Sequence, residues 1–182
     1  MIGDPRYTCE RLDQHHDRAS FKCAREPALE QYITDAGRAR RDNDRNVSAV
    51  YVLLDTSQND RIAGYFTLSN LSLIPDRVPR ELAKKMPRYD SWGAVKLGRM
   101  ARHDDYAGIG LGSILIARAF ARALAVAKQS GSFALVVDAK NGKLAKWYTD
   151  LGFRPLPGSP TTLLITNATM AAYLEALTKH AS

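Results

Sequence analysis

The chain has 182 residues, of which 45% are hydrophobic and 25% are charged, and its formal net charge is +7. This length suits one domain, and the composition is typical of a folded globular protein rather than an intrinsically disordered one. Two cysteines are too few for a disulfide framework or a zinc finger, so a reducing, cytoplasmic compartment is expected. No signal peptide is expected, and no apolar run approaches the roughly 18 residues of a membrane span.

The positive charge has two interpretations. It keeps the chain soluble, or it binds an acidic partner such as RNA, a CoA-like phosphate ligand or an acidic protein. The basic residues are concentrated in "DAGRARRDNDR", "RVPRELAKKMPR" and "KNGKLAK". A solvated face explains any single one of these residues, so both interpretations stay open at this point.

In the first half of the chain, the pattern predicts a helix, a hairpin, a short helix and a strand. The first helix is "EPALEQYITDAGRAR", residues 26–40, with Pro27 in its first turn. If it extends further, Arg38, Arg41 and Arg45 lie opposite its apolar face. The strands "VSAVYVLLD" and "RIAGYFTLSNLSLI" flank the polar turn "TSQND", which indicates a hairpin. The short helix "VPRELAKKM" and the strand "SWGAVKLGRMA" follow.

The second half begins with a long helix, expected from Leu111 to Gln129. A buried strand "SFALVVDA" comes next, then a helix "NGKLAKWYTDLG" that ends at Gly152, the short strands "FRPLP" and "TTLLIT", and a closing helix "ATMAAYLEALTK". This order predicts a mixed α/β sheet in a single domain over residues 1–182. About the first 20 residues are expected to be peripheral to it.

Glycines stand at alternate positions in "YAGIGLGSIL", directly before the long helix: Gly108, Gly110 and Gly112. No lysine follows them, which excludes a Walker loop, and the G-x-G-x-G spacing does not fit a dinucleotide fingerprint. Two interpretations remain. The segment is a tight turn between packed elements, or its backbone N–H groups and the helix dipole hold a pyrophosphate.

Together with "NGKLAKWYTDLGF", this loop resembles the GCN5-related N-acetyltransferases (GNAT). That family has a loop Q/R-x-x-G-x-G/A and a later helix N-x-x-A-x-x-F/Y-Y-x-x-x-G-F. The departures are Ala107, where Gln or Arg is usual, and Leu144, where Ala is usual. The resemblance implies an α/β GNAT fold with a mixed, mostly antiparallel sheet, flanking helices and a splayed central strand pair. It also implies acetyl-CoA as the acetyl donor.

Six segments in one order resemble a narrower group, the GNAT toxins of type II toxin–antitoxin pairs, which acetylate the amino group of aminoacyl-tRNA. The segments are "FKCAREPALEQYI", "GYFTLS", "LAKKMPRY", "LGRMARHD", "VVDAK" and "WYTDLGFRPLP". Departures occur at Ala24, Met100 and Arg102, where Gly, Leu and Val are usual. The resemblance implies blocked translation, a ribbon-helix-helix antitoxin and a homodimer.

The resemblance also implies roles for individual residues. Tyr148 protonates the leaving CoA thiolate, although helical spacing with Leu144 and Leu151 alone favours a core tyrosine. The residues implied in acetyl-CoA binding are Met100, Ala101, Arg102, Ala107, Gly108, Ile109, Gly110, Leu111, Gly112, Ser113, Asn141 and Lys143. No metal site is expected, and His15, His16 and His103 are interpreted as surface residues.

The candidates for contact with tRNA phosphates are basic residues on segments flanking the expected cleft: Arg38, Arg41, Arg45, Arg80, Lys84, Lys85, Arg88, Arg99, Lys140 and Lys146. An α-amine has a pKa of about 7.7–8.0 and a lysine amine about 10.4. Because no acidic residue stands out as a base, an α-amine substrate is favoured.

Two alternatives to an aminoacyl-tRNA acetyltransferase stay open on the sequence. One is a GNAT enzyme that acetylates a small-molecule or protein amine. The other is a non-catalytic CoA-binding partner that tethers a DNA-binding antitoxin.

Overall fold

A computed structural model describes residues 5–35 and 37–179 of the chain. These divide into two compact units: the stretch up to Ser69, Gly98–Ala119 and the stretch from Leu177 form unit 1, and Asn70–Leu97 and Phe120–Ala176 form unit 2. The single domain over residues 1–182 stays a prediction. Every helix within the described residues is too short or too polar to cross a membrane.

Unit 1 is built on antiparallel strands. It contains β1 (Tyr7–Arg11), α1 (Pro27–Thr34), α2 (Arg38–Asp44), β2 (Ala49–Asp55), most of β3 (Arg61–Leu73), the end of β4 (Trp92–Arg102) and the start of α4 (Leu111–Ser130). β2 and β3 form the predicted hairpin. β1 pairs with β2 along its whole length and was not predicted, because "YTCER" is too polar to show a strand pattern. The residues expected to be peripheral thus supply an edge strand.

The predicted helix over residues 26–40 is wrong as a single element. It ends at Thr34, and a second helix begins at Arg38. Between them Gly37 has φ +109°, in the left-handed region that favours glycine and interrupts a helix. Arg38 and Arg41 are therefore exposed on α2 instead of extending the polar face of α1.

Aromatic side chains hold α1 against the sheet of unit 1. The ring of Tyr65 on β3 is fully buried and lies 5.5 Å from Phe21 and 6.0 Å from Tyr32, between ring centroids. The hydroxyl of Tyr65 donates a hydrogen bond of 2.7 Å to the carbonyl oxygen of Leu29. This bond satisfies the one polar atom that the tyrosine buries, so its burial costs little.

Unit 2 contains the end of β3, α3 (Arg80–Ala83), the start of β4, the rest of α4, β5 (Ala134–Asp138), α5 (Gly142–Asp150), β6 (Arg154–Leu156), β7 (Ser159–Thr166) and most of α6 (Asn167–Lys179). β4 and β5 are parallel, and β7 is antiparallel to both β5 and β6. The strand order is β1-β2-β3-β4-β5-β7-β6. The predicted mixed, mostly antiparallel sheet is confirmed.

The parallel pair is short relative to its strands. Its ladder runs from Val95–Leu135 to Leu97–Val137, whereas β4 continues to Arg102. A central strand that extends past its ladder is what the predicted splayed pair requires. The backbone of Met100–Arg102 is thus in the part of β4 that follows the ladder.

The helices of unit 2 pack through an aromatic cluster. Phe120 of α4 is fully buried, 5.9 Å from Phe153 and 5.4 Å from Tyr173 of α6, between ring centroids. Gly152 ends α5 with φ +99°, as its position in the sequence predicts. A Cβ at Gly152 would lie 2.9 Å from Cγ2 of Thr169, so glycine is required here for space as well as for conformation.

Gly152→Ala is expected to lower the free energy of unfolding by about 1–3 kcal/mol, because it adds a strained φ and a contact that α6 must relieve. Gly142→Ala is the matched control, since a Cβ at Gly142 meets nothing within 4 Å and the residue begins α5. The control should be neutral or slightly stabilising. Urea denaturation followed by circular dichroism measures both, and equal stabilities of the two variants would contradict the role of Gly152.

Candidate functional site

The predicted site residues divide between the two units. Unit 1 contains Met100, Ala101, Arg102 and the segment Ala107–Ser113, with the basic residues Arg38, Arg41, Arg45 and Arg99. Unit 2 contains Tyr148, Asn141 and Lys143, with the basic residues Arg80, Lys84, Lys85, Arg88, Lys140 and Lys146.

The glycine loop leaves its main chain open to solvent. Gly108 and Gly110 have φ +79° and +78°, and both are exposed. A Cβ at either position would meet nothing within 4 Å. The backbone here has the left-handed conformation that glycine favours, and a large group can approach it closely.

α4 begins directly after this loop, at Leu111. The first N–H groups of a helix have no partners within the helix, and the helix dipole places partial positive charge at the same end. α4 has 20 residues, so the dipole is fully developed. Loop and helix end together form a surface suited to an anionic group such as a phosphate.

A buried carboxylate anchors the start of the loop. The hydroxyl of Tyr106, the residue before Ala107, donates a hydrogen bond of 2.9 Å to Oδ2 of Asp55. The side chain of Asp55 is fully buried, and the Arg6 guanidinium binds both of its oxygens, at 2.7 and 3.1 Å. The Ser57 hydroxyl donates a further bond of 2.6 Å.

These contacts shift the pKa of Asp55 and the pKa of Tyr106 in opposite directions. Hydrogen bonds from Arg6, then from Ser57 and Tyr106, hold the pKa of Asp55 well below its usual range. Burial, with the hydrogen bond to Asp55, raises the pKa of Tyr106 to about 12. Tyr106 therefore remains a hydrogen-bond donor to an ionised carboxylate throughout the physiological pH range.

Three more hydrogen bonds fix the turn before the loop. The backbone N–H of Asp104 donates to the carbonyl oxygen of Lys22 at 2.9 Å, and Oδ2 of Asp104 accepts from the N–H of Ala24 at 2.8 Å. Nδ1 of His103 accepts from the N–H of Asp105 at 3.1 Å. The segment "FKCA" and the glycine loop, far apart in sequence, are thus joined through Asp104.

A small groove with a volume of about 250 Å³ lies beside the end of β4, and Asp104 is part of its wall. Its apolar lining comes from Cys23, Leu29, Met100 and Ala101, and its polar lining from Arg25, Glu26, Arg102 and Asp104. Burial raises the pKa of the Cys23 thiol, which keeps it protonated and unsuited to act as a nucleophile. The groove therefore offers a docking surface near the β4 backbone, without a nucleophile of its own.

One aromatic ring brings two of the predicted basic residues together. The Arg99 guanidinium lies 3.9 Å from the ring centroid of Tyr32, and that of Arg38 lies 5.9 Å from it. The Tyr32 hydroxyl donates to Asp42 at 3.0 Å, which fixes the ring. Stacking of this kind holds an arginine side chain in position while its N–H donors remain available.

In unit 2, Tyr148 is buried on α5, as its spacing predicts. Its ring contacts Phe153 and Trp147, with centroids 5.1 and 4.9 Å away. Burial raises the pKa of Tyr148 to about 12. The phenol thus keeps its proton at neutral pH, so it can donate but cannot act as a base.

Asn141 and the lysines around it surround the start of α5. Oδ1 of Asn141 accepts from the N–H of Leu144 at 2.9 Å and so caps the start of α5. Lys140 and Lys143 are exposed, and Lys146 pairs with Asp150 at 2.9 Å. The other basic set of unit 2, Arg80, Lys84, Lys85 and Arg88, is exposed on and after α3, followed by Tyr89, which is 67% exposed.

Known proteins resemble this chain over nearly its full length. No protein-family model matches it. It is 24% identical over 181 residues to a "Probable toxin TacT" of Sinorhizobium fredii, covering 94% of this chain and 97% of that protein. It is 27% identical over 155 residues to a "tRNA-acetylating toxin" of Mycobacterium tuberculosis, covering 85% and 89%.

Two solved structures also match more than nine-tenths of this chain. AtaT complexed with acetyl-methionyl-tRNAfMet has a TM-score of 0.81 at 28% identity and covers 91% of this chain and 98% of its own. This chain has the GNAT fold. A mutant of KacT matches with a TM-score of 0.80 at 27% identity, over 92% and 98%. The resemblance to GNAT toxins is thereby confirmed.

In this GNAT fold, sequence reasoning missed the residues that hold the loop. Asp55 ends an apolar strand, "VYVLLD", and a carboxylate in that place was the one available signal. Tyr106 had no signal in the sequence, since its partner lies in the distant hairpin of β2 and β3. His16 and His103 are buried, so their interpretation as surface residues is wrong, whereas His15 is exposed as predicted.

Asp55→Asn is expected to lower the free energy of unfolding by about 2–3 kcal/mol at pH 7, because it weakens charged hydrogen bonds to a buried group. The lowered pKa sets the pH dependence. Below about pH 4 the unfolded wild type binds a proton that the folded state does not, so this stabilisation is lost as the pH falls. The difference between wild type and variant should therefore shrink from pH 6 toward about pH 3.

Denaturant titrations at several pH values measure this difference. Asp44→Asn is the control, because Asp44 forms an exposed pair with Arg40 at 3.3 Å, worth less than about 1 kcal/mol. A gap between wild type and Asp55→Asn that is constant with pH would show that Asp55 is not held ionised by these partners.

Proposed function

We propose that this chain is an N-acetyltransferase that moves acetyl from acetyl-CoA to the α-amino group of aminoacyl-tRNA and so blocks translation. The observation that carries the proposal is the likeness, over 98% of its length, to AtaT solved with acetyl-methionyl-tRNAfMet. A relative named as a tRNA-acetylating toxin and the structure of AtaTR bound with AcCoA support the same function.

The glycine loop is proposed to bind the pyrophosphate of acetyl-CoA. The open backbone at Gly108 and Gly110 and the N–H groups at the start of α4 offer donors to phosphate oxygens. Main-chain groups of Met100–Arg102 serve the pantetheine arm in this proposal. The Tyr106–Asp55 anchor compensates for Ala107, where related enzymes have a side chain that orders the loop.

The reaction forms a bond between the α-amine nitrogen and the acetyl carbon and breaks the bond between that carbon and the CoA sulfur. The amine must be neutral to attack, and its pKa of about 7.7–8.0 leaves a useful fraction neutral near pH 7. Tyr148 is proposed to donate its hydroxyl proton toward the sulfur as negative charge develops there. The proton that the amine loses passes to solvent, and solvent returns a proton to the Tyr148 oxygen.

The basic segments are proposed to bind the tRNA backbone. Arg38 and Arg99, both held at Tyr32, form one candidate contact. The exposed residues Arg80, Lys84, Lys85 and Arg88 form another, and Lys140, Lys143 and Lys146 form a third. Phosphate contacts of this kind position an RNA without reading its sequence.

The toxin assignment implies a protein partner. AtaT has been solved as a mutant bound to the C-terminus of the antitoxin AtaR, and it matches this chain at 25% identity with a TM-score of 0.74. By the same reasoning, a cognate antitoxin binds this chain. A ribbon-helix-helix antitoxin, a homodimer and a cytoplasmic location belong to the same proposal.

The direct test is to incubate the purified chain with acetyl-CoA and bulk charged tRNA, and to identify the acylated products by mass spectrometry. N-acetylated aminoacyl-tRNA is the expected product. Its absence across all isoacceptors, with CoA release on small amines instead, would contradict the proposal and favour a small-molecule acetyltransferase.

Tyr148→Phe should reduce kcat for acetyl transfer at least about 100-fold, since it removes the proposed acid and keeps the ring. It should also abolish growth arrest on expression. The KacT structure that resembles this chain is likewise of a tyrosine-to-phenylalanine mutant. Tyr173→Phe is the control, because Tyr173 is half-buried on α6 and packs on Phe120. An equal loss of activity in both variants would indicate that the Tyr148 hydroxyl has a structural role and is not the acid.

Binding of tRNA should weaken steeply as salt increases, because phosphate contacts release counterions. Lys84→Ala should weaken binding and reduce the slope of log K against log salt by about one if Lys84 contacts a phosphate. Lys128→Ala removes the same charge from an exposed position outside the predicted set. Filter binding over a salt series compares the two variants. If Lys84→Ala and Lys128→Ala have equal slopes of log K against log salt, Lys84 does not contact a tRNA phosphate.

A further inference from the structure

A second cluster of functional side chains lies in unit 1, at the edge strand. Glu10 is on β1, and His15 and His16 are in the turn that follows it. Nε2 of His16 lies 2.8 Å from Oε1 of Glu10, and Nε2 of His15 lies 3.4 Å from the same oxygen. One ligand atom from each residue falls within 4.8 Å of the other two.

The orientation of His16 is fixed by the backbone. Its side chain is 2% exposed, and its Nδ1 accepts a hydrogen bond of 2.8 Å from the N–H of Asp13 and lies 3.2 Å from the carbonyl oxygen of Asp13. Because Nδ1 accepts from the Asp13 N–H, the neutral ring carries its proton on Nε2. Metal binding at Nε2 would move that proton to Nδ1 and replace this bond by one from Nδ1–H to the Asp13 carbonyl oxygen, 3.2 Å away. With either bond, Nε2 is directed toward Glu10.

The three donors suit a divalent transition metal. Two imidazole nitrogens and one carboxylate oxygen are a common ligand set for Zn²⁺, with bonds of about 2.0–2.2 Å. Around a tetrahedral ion with such bonds, neighbouring donor atoms are about 3.3 Å apart. The distances from Oε1 of Glu10 to Nε2 of His16 and of His15, 2.8 and 3.4 Å, lie close to that spacing, so small side-chain adjustments would admit an ion.

The surroundings favour a cation although the chain as a whole is basic. All three residues line a cavity of about 830 Å³, and its wall also includes Asp17 and Asp60. The one arginine in the wall, Arg61, pairs with Asp105 at 2.8 Å. An ion held by three protein ligands here would have a fourth position open to the cavity, where water can bind.

We propose that Glu10, His15 and His16 form a binding site for Zn²⁺. The ion would link β1 to the turn that follows it and so stabilise the edge of the sheet, independently of acetyl transfer. The sequence did not predict the site, because spacings of five and six residues match no zinc motif. Folding alone brings the three side chains together.

The test uses the full-length chain with any affinity tag removed, and Zn²⁺ as the only added ligand. Isothermal titration in the presence of a competing chelator should give one Zn²⁺ per chain, and Zn²⁺ should raise Tm. His15→Ala and Glu10→Gln should each weaken Zn²⁺ binding at least tenfold and remove most of the increase in Tm. His15 is chosen because it is 65% exposed, so its loss leaves the fold intact.

His180→Ala is the matched control, with an unchanged affinity expected. Co²⁺ gives a second readout, since a tetrahedral site with nitrogen and oxygen ligands produces visible absorption that His15→Ala should abolish. The proposal is overturned if wild type binds no Zn²⁺, if both Glu10→Gln and His15→Ala bind as tightly as wild type, or if His180→Ala loses the binding instead.

Discussion

The contact between Tyr106 and the buried carboxylate of Asp55 determines where the glycine loop can lie. Arg6 and Ser57 keep Asp55 ionised, and a buried ionised group is tolerated because each oxygen has charged or polar donors. The strand end that carries Asp55 belongs to the hairpin, so the hairpin fixes the loop. The position of the start of α4 follows from that placement.

A second constraint couples the loop to the segment "FKCA". Asp104 uses both its backbone and its carboxylate for this purpose, through Lys22 and Ala24. The groove at the end of β4 is therefore bounded by two segments that cannot move independently. A change in the first helix that displaces Cys23 would therefore also shift the backbone at the proposed acetyl-CoA site.

Much of the fold could be predicted because its signals are local. The hairpin, α4 and the end of α5 at Gly152 follow from periodicity and from turn residues. The break at Gly37 was missed because the apolar spacing continues across it, and β1 because it depends on pairing with β2. The loop glycines were found by motif, whereas Asp55 becomes visible only when distant elements pack. The roles of the matched residues remain predictions.

Recognition through the main chain has an evolutionary consequence. At the proposed pyrophosphate site Gly108 and Gly110 offer only backbone, so the information that would select a phosphate is stored in conformation and not in side-chain identity. Such a site tolerates drift at every surrounding position that preserves the shape of the loop, as Ala107 illustrates. At 24–28% identity to its relatives, this chain would need to keep only the shape of that loop to retain the proposed phosphate contacts.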